Sequence, residues 1–189
     1  MKTLVIHPDD RSTDFLKEIY LGRGYDVITR WDMTYPVLKA MVETHDRIMM
    51  MGHGSPSGLI GYGHIFMNPE FVKVLQTKDT VCIWCNADKY VEPNNIKGFY
   101  TGMFISEVGE ARYFGINVSQ DVIDHSNELF AQEMRRCVDL GNPKLICEEI
   151  KSVYVGDNEV FNFNNDRLYY RESGFDWNEF QQTLNFIPL

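Results

Sequence analysis

The stretch Arg47-Ile48-Met49-Met50-Met51-Gly52-His53-Gly54 joins a short apolar run to a turn that carries a histidine. A run of this length that is bounded by turn residues is typical of a buried strand. A second stretch, Thr80-Val81-Cys82-Ile83-Trp84-Cys85-Asn86, repeats the pattern and carries a cysteine where the first carries its histidine. If the two strands are parallel neighbours, His53 and Cys85 reach the same carboxyl edge of one sheet, where open α/β folds keep their sites. A thiol with an imidazole within reach is the minimum that catalysis by a cysteine nucleophile requires.

Alternating strand and helix patterns precede the first stretch. Residues 3–7 and 25–31 are apolar runs that predict strands. Between them, Ser12 or Thr13 can cap a helix whose apolar positions recur at helical spacing. A second helix, predicted over residues 34–42, leads into the histidine strand. Strand and helix in alternation predict right-handed crossovers, and therefore an α/β fold with a mostly parallel sheet between two layers of helices.

The chain beyond His53 continues with smaller elements. We expect a hairpin over residues 58–66, a polar loop over 88–102 that forms one wall of a cleft, a strand over 111–117, and a long helix that opens at Ser119. These elements complete a core over about residues 1–142. An extension over about residues 143–189 is predicted to hold a helix over 143–150, a strand over 153–155, a β-hairpin of 160–163 with 168–170, and an amphipathic segment over 175–189. No shift in composition marks a domain boundary, so residues 1–189 are expected to form a single domain.

The order of these elements is similar to that of the caspase-like cysteine peptidases. One strand ends in His53-Gly54, and a later strand ends in Cys85 with small and acidic residues after it. This arrangement resembles that of the superfamily that includes caspases, metacaspases, clostripain, gingipains and CHAT domains. The resemblance extends from residue 3 to about residue 140. It implies a caspase-like α/β/α fold, a peptidase with a His–Cys dyad, and an oxyanion hole formed by the backbone N–H groups of Gly54 and Cys85.

Each role has a physical basis and a simpler competing interpretation. Cys85 attacks only as a thiolate, and a free thiol with a pKa of about 8.5 is mostly protonated at neutral pH. His53 would therefore act as general base toward the thiol and as general acid toward the leaving amine. Gly54 lacks a side chain, so its N–H can approach a substrate carbonyl. The competing interpretations are a buried structural cysteine and a glycine that merely ends the strand.

Substrate preference is predicted from carboxylates near the expected cleft. Asp9 and Asp10 follow the first strand, and Ser119 and Asp121 open the long helix in an arrangement that resembles metacaspases. Carboxylates beside a cleft favour a cationic substrate side chain, which indicates cleavage after Arg or Lys. His64 is a further candidate for the cleft wall. N-capping and surface solvation are the alternative roles of these acidic residues.

Composition limits the partners and the compartment. The chain has 189 residues and a formal net charge of -9, which argues against nucleic acid and anionic membrane as partners. Its amino terminus does not resemble a signal peptide, and no run approaches the roughly 20 apolar residues of a membrane span. Four cysteines without a spaced framework indicate a reducing compartment, so we expect a cytoplasmic protein. No compact ligand pattern predicts a metal, and no cofactor is expected.

Three functions from different classes remain open. The first is a cysteine endopeptidase that acts on a peptide or protein substrate. The second is a caspase-like or CHAT-like domain that works mainly through protein–protein interaction with little or no proteolysis. The third is a thiol oxidoreductase, because Cys82 and Cys85 have the spacing of a thioredoxin-type pair. In a strand, however, positions three apart face opposite sides of the sheet, which favours a core role for Cys82.

Overall fold

The computed structural model describes residues 1–30, 34–61, 64–65, 71–156 and 158–173. The strands are β1 (Thr3–Ile6), β2 (Asp26–Ile28), β3 (Arg47–Met51), β4 (Gly54–Ser55), β5 (Gly58–Gly61), β6 (His64–Ile65), β7 (Asp79–Ile83), β8 (Gly98–Thr101) and β9 (Leu168–Arg171). The α-helices are α1 (Tyr35–Glu43), α2 (Val72–Leu75), α3 (Asp88–Val91), α4 (Val108–Tyr113), α5 (Gln120–Cys137), α6 (Pro143–Val153) and α7 (Glu159–Asn165). Two 3-10 helices cover Arg11–Ile19 and Val138–Leu140.

A six-stranded mixed sheet, ordered β2-β1-β3-β7-β8-β9, organises the fold. Strands β2, β1, β3, β7 and β8 are parallel to one another, and β9 pairs antiparallel with β8. The prediction of an α/β fold with a mostly parallel sheet is therefore confirmed, as is the pairing of the histidine strand with the cysteine strand. The chain runs outward from β1 to β2 and then crosses to β3 on the other side of β1. This reversal of strand order lies between β1 and β3, the location where open α/β sheets bind ligands.

Alternate residues of the sheet pack into two apolar clusters. Met49 and Met51 of β3 pack with the Arg11–Ile19 helix, α5 and α6, whereas Ile48 and Met50 pack with α1, α2 and α3. All four side chains are fully buried. Helices therefore cover both faces of the sheet, and this explains why β3 is an unbroken apolar run rather than an alternating one.

A buried arginine anchors the amino ends of β3 and β7. The Arg47 side chain is 0% exposed, and its Nε donates to Asp79 Oδ2 at 2.8 Å. Its Nη1 donates to the carbonyl of Val138 at 2.8 Å and lies 3.3 Å from a carboxylate oxygen of Asp139. Because Arg47 is paired in register with Asp79, their contact fixes the alignment of the two strands. The contacts with Val138 and Asp139 tie the 3-10 helix that follows α5 to the same strands.

We expect Asp79→Ala to destabilise the protein by on the order of 3 kcal/mol, because it removes one partner of a buried ion pair and leaves the guanidinium charge poorly compensated. Urea unfolding measures the loss. The matched control is Arg136→Ala, which breaks exposed pairs with Glu133 and Glu149 and should leave the unfolding midpoint unchanged. Equal effects of the two substitutions would contradict the anchoring role of Arg47.

Three predicted elements of the second half are wrong. The predicted hairpin strand over residues 160–163 is helix α7, because Asn158 caps it by accepting from the N–H groups of Val160 and Phe161. Only its partner over 168–170 is a strand, and that strand, β9, pairs with β8 instead. The predicted strand over 111–117 overlaps α4, which opens with a capping box. The predicted strand over 153–155 covers the end of α6 and irregular chain.

The predicted polar loop over residues 88–102 also differs from the structure. It contains α3 and the inner strand β8, whose four residues are all buried. At the start of β8, Gly98 has a φ of +151°, and a Cβ there would lie 2.1 Å from the carbonyl oxygen of Thr80. Glycine is thus required for β8 to approach β7, and a strand this short between polar residues gives little periodic signal.

Other expectations are met where the structure describes the chain. Strands β5 and β6 pair antiparallel within the predicted hairpin, and α5 begins after Ser119 as expected. No helix within the described ranges is both long enough and apolar enough to cross a bilayer. The amphipathic segment predicted over 175–189 lies outside the described residues.

Candidate active site

The pairing of β3 with β7 brings His53 and Cys85 to one hollow. The last register pair of the two strands is Met51 with Ile83, and His53 and Cys85 each lie two positions beyond it. The Gly52 N–H donates to the Ile83 carbonyl at 3.0 Å and so extends the ladder to the edge of the site. The hollow between the two residues is small, about 20 Å³, and is lined by Thr13, Phe15, Leu16, Gly52, His53, Ile83, Trp84, Cys85, Phe104 and Ser106.

A glycine and an indole ring join the two motifs. A Cβ on Gly54 would lie 1.9 Å from Cδ1 of Trp84, so only glycine fits against this ring. The Trp84 Nε1 donates to the carbonyl of Ser55 at 3.2 Å. Because Gly54 follows His53 and Trp84 precedes Cys85, this contact holds the two segments side by side. Gly54 therefore has a packing role beside the oxyanion role predicted for its N–H.

We expect Gly54→Ala to destabilise the protein by about 1–3 kcal/mol, since the new methyl group must displace a buried indole. Denaturant unfolding measures the change, and the tryptophan emission spectra of the folded variants are compared in backgrounds in which Trp31 and Trp177 are replaced by Phe, so that Trp84 alone emits. Gly109→Ala in α4 is the control, because a Cβ there meets nothing within 4 Å. It should be neutral or slightly stabilising. A Gly54→Ala variant as stable as Gly109→Ala would contradict the packing role.

The Cys85 thiol has its own hydrogen-bond partners. It is partly buried and donates to the carbonyl of Phe104 at 3.5 Å and toward Glu110 Oε1 at 3.8 Å. Burial, and to a smaller extent the neighbouring Glu110 carboxylate, raise the pKa of Cys85 to about 11. The sulfur is thus a neutral thiol at physiological pH, not a preformed thiolate.

Glu110 also has a structural role. Its Oε2 accepts from the N–H groups of Ser106 and Glu107 at 2.8 and 3.2 Å, which closes the capping box of α4. Its Oε1 is the oxygen that faces Cys85. The helix cap and the thiol therefore share one carboxylate.

The alkylation rate of Cys85 should rise about tenfold per pH unit from pH 7 to pH 10, because only the thiolate reacts and its pKa is about 11. Glu110→Gln should speed alkylation at fixed pH, on the order of tenfold, because it removes a negative charge while a glutamine can still cap α4. Iodoacetamide labelling read out by peptide mass spectrometry measures both effects. Glu43→Gln, on the far helix α1, is the control, and a rate independent of pH would contradict the neutral thiol.

His53 is held from the opposite side by the loop after β1. Its Nε2 lies 2.7 Å from Ser12 Oγ and 3.8 Å from Asp10 Oδ1. Ser12 donates its backbone N–H to Asp10 Oδ1 at 2.9 Å and its hydroxyl to the same oxygen at 2.7 Å. These hydrogen bonds from Ser12 lower the pKa of Asp10 below its ordinary value. The cap of the Arg11–Ile19 helix is therefore Asp10, whereas Ser12 or Thr13 was predicted.

A larger hollow adjoins the small one, and Phe15 and Ser106 line both. Its volume is about 560 Å³, and its wall is formed by Arg11, Ser12, Phe15, Ser106, Glu107, Val108, Gly109, Gln120, Asp124, Asn127 and Glu128. Three carboxylates and one guanidinium give this wall a net negative charge. The carboxamide oxygen of Asn127 is buried there and has no hydrogen-bond partner among the described residues. A ligand with positive charge and N–H donors suits this hollow.

The remaining predicted site residues are scattered. Asp9 is exposed and forms an ion pair with Lys17 at 3.2 Å, away from the hollow walls. Ser119 and Asp121 are exposed at the start of α5, and neither lines the two hollows. The backbone of His64 lies in β6, and its side chain is outside the described part of the chain. Asp10 is the acidic candidate that the structure brings to His53.

Sequence reasoning missed the two residues that contact the predicted pair most directly. Ser12 was recognised only as a possible helix cap, and Glu110 was not singled out. The spacing of Glu107 and Glu110 is that of a capping box, which could have placed a helix there. Nothing in the sequence indicates that either residue would reach His53 or Cys85.

No group of three or more His, Cys, Asp or Glu side chains in the described residues is arranged to hold a metal ion. The chain matches no known family model, and no curated protein sequence matches it.

Proposed function

We propose that this protein is a caspase-like cysteine endopeptidase that uses His53 and Cys85. The observation that carries the proposal is the position of the two residues at equivalent places beyond β3 and β7, on the wall of one hollow. Residues from three elements, the Arg11–Ile19 helix, β7 and the segment before α4, complete the hollow. Helices on both faces of the sheet fit the three-layer arrangement of that superfamily.

The mechanism starts from a neutral thiol. Because the pKa of Cys85 is about 11, His53 must take the thiol proton as the sulfur attacks the peptide carbonyl. The imidazolium then gives this proton to the leaving amine as the C–N bond breaks, which leaves an acyl group on the sulfur. His53 then takes a proton from a water molecule, which attacks the acyl carbonyl. As the C–S bond breaks, the acid is released and His53 returns the proton to the Cys85 sulfur.

The developing oxyanion requires donors beside the sulfur. The backbone N–H of Cys85 pairs with no acceptor in the described part of the chain. With the N–H of Gly54 it is a candidate for the oxyanion hole. The ring of Trp84 against Gly54 keeps this backbone close to the cysteine segment.

The acidic hollow supports a substrate with Arg or Lys before the scissile bond. Glu107, Asp124 and Glu128 surround a space of about 560 Å³, which is large enough for such a side chain. The carboxylates that favour a cation are thus mainly these three, rather than Asp9 and Asp121. Asp10 would act on His53 instead. No cofactor enters this chemistry.

A second candidate is a caspase-like or CHAT-like domain that acts through protein–protein interaction. The observations in its favour are the small size of the hollow at Cys85 and the carboxylate beside the thiol. A thiol oxidoreductase has less support. Cys82 lies within β7, fully buried among residues of the opposite sheet face, and its pKa is raised to about 12 by burial.

Peptidyl acyloxymethyl ketones with Arg, Leu or Asp at the reactive residue test the proposal. We expect a covalent adduct on Cys85, formed fastest with the Arg reagent, slower with Leu and slowest with Asp. Cys85→Ala should remove the adduct, and His53→Ala should slow its formation at least about a hundredfold, because the base is lost. Intact mass and peptide mapping identify the modified residue.

His125→Ala is the matched control, since His125 is an exposed histidine on α5 outside both hollows. It should label at the wild-type rate. Labelling by iodoacetamide without any adduct from the three ketones would contradict proteolysis and favour the interaction domain. A reversible Cys82–Cys85 disulfide would favour the oxidoreductase.

A further inference from the structure

The three groups Asp10, Ser12 and His53 form one hydrogen-bonded chain whose proton directions can be derived. Ser12 Oγ lies 2.7 Å from Asp10 Oδ1 and 2.7 Å from His53 Nε2. A hydroxyl carries one proton, so it can donate to only one of these neighbours. The other neighbour must supply the proton of its own hydrogen bond.

Asp10 is the group that can only accept. Its pKa is lowered by the two hydrogen bonds from Ser12, so the carboxyl is ionised at neutral pH. If Ser12 donated to His53 instead, two oxygens without a proton between them would face each other at 2.7 Å, which is repulsive. The hydroxyl proton therefore points to Asp10, and the His53 Nε2–H donates to Ser12 Oγ.

We infer that Asp10 and Ser12 are positioning residues that hold His53 as its Nε2–H tautomer, which leaves Nδ1 as the nitrogen that accepts a proton. The assignment of the tautomer follows from the hydrogen bonds alone. The further statement that Nδ1 takes its proton from the Cys85 thiol rests on the proposed peptidase function.

The proton count balances through the reaction. Neutral His53 carries its proton on Nε2, and the thiol proton of Cys85 moves to Nδ1 as the S–C bond forms. The resulting imidazolium keeps Nε2–H bonded to Ser12, and the Asp10 carboxylate, 3.8 Å from Nε2, stabilises the new positive charge. The Nδ1 proton then leaves with the amine, and the chain of hydrogen bonds is unchanged.

The same count argues against Ser12 as the nucleophile. A nucleophilic serine of the triad type directs its proton at the imidazole that removes it, whereas this hydroxyl directs its proton at the Asp10 carboxylate, which also caps the helix. The Arg11–Ile19 helix is also held by hydrogen bonds to His7, which follows β1. The ring of the buried His7 is hydrogen-bonded through Nε2 to Thr13 Oγ1 at 3.1 Å and through Nδ1 to Tyr20 Oη at 3.0 Å. These buried contacts fix the position of the helix start that carries Ser12.

The location of the chain explains how it reaches the site. Asp10 and Ser12 follow β1, His53 follows β3, and these adjacent parallel strands flank the point where strand order reverses. Residues that are distant in sequence therefore meet at one carboxyl edge.

Two-bond ¹H–¹⁵N correlation spectra of the full chain with ¹⁵N-labelled histidine test the tautomer without any need for activity. At pH 8.5, above the ordinary histidine pKa of about 6.5, His53 should show a protonated Nε2 and an unprotonated Nδ1. His53→Gln assigns the signals. Ser12→Ala should convert them to a mixture of both tautomers, and Ser12→Thr should keep the wild-type pattern because it keeps the hydroxyl.

Kinetics on an Arg peptide ester or amide provide the second measurement. Ser12→Ala should lower kcat by about ten- to a hundredfold with little change in KM, as expected for one lost hydrogen bond to a group that becomes charged. Asp10→Asn keeps the helix cap and should lower kcat less, while Ser12→Thr should recover most of the rate. Ser152→Ala, an exposed serine on α6, is the control and should match the wild type.

The outcomes separate the two proposals. A protonated Nδ1 in the wild type, or an unchanged tautomer in Ser12→Ala, overturns the positioning role whatever the activity. The expected tautomer in a protein without peptidase activity supports the positioning of His53 and counts against the proposed function instead. Covalent modification of Ser12 by the ketones overturns the assignment of Ser12 as a positioning residue.

Discussion

The ion pair between Arg47 and Asp79 is the constraint on which the geometry of the site depends, although it lies at the far end of the two strands. A slip of one residue between neighbouring strands moves every side chain of the slipped strand to the opposite face of the sheet, and here the two faces pack against different helices. Pairing Arg47 with Asp79 forbids such a slip between β3 and β7. As a result, the residues two positions beyond each strand, His53 and Cys85, emerge at the same level.

The two residues of the candidate site, Cys85 and His53, lie in different electrostatic surroundings. The thiol lies in a partly buried position beside a carboxylate, which favours the neutral form of the sulfur. The imidazole lies 3.8 Å from the Asp10 carboxylate and is joined to it through the Ser12 hydroxyl. In the proposed peptidase, the first environment would disfavour the thiolate before a substrate binds, and the second would place a carboxylate beside the imidazolium that forms during attack. For the proposed peptidase, general-base catalysis fits these surroundings better than a preformed thiolate–imidazolium pair.

Local sequence pattern predicts the two central strands but not helices α4 and α7 or the contacts of His53. The runs around Met49 and Val81 are apolar, short and bounded by turns, so their strands and their common edge were predictable from local pattern. Residues 160–163, which follow the cap at Asn158, and residues 111–117, which overlap the helix opened by the Glu107 capping box, were misread as strands. Aromatic and β-branched residues there mimic alternation, whereas the caps favour a helix. The contact of Ser12 with His53 joins residues on two different strand-end loops. Nothing local encodes it, since only the placement of β1 beside β3 brings them together.

The antiparallel pairing of β9 with β8 has a consequence for the order in which the protein is made. Every other neighbour in the main sheet comes from the first 101 residues, whereas β9 is formed by Leu168–Arg171. During synthesis, the backbone donors and acceptors along the outer side of β8 therefore have no strand partner until α5, α6 and α7 have left the ribosome. An open edge of this kind is a template for pairing with other chains. The nascent protein is thus most exposed to intermolecular association late in translation, on the strand adjacent to the one that leads to Cys85.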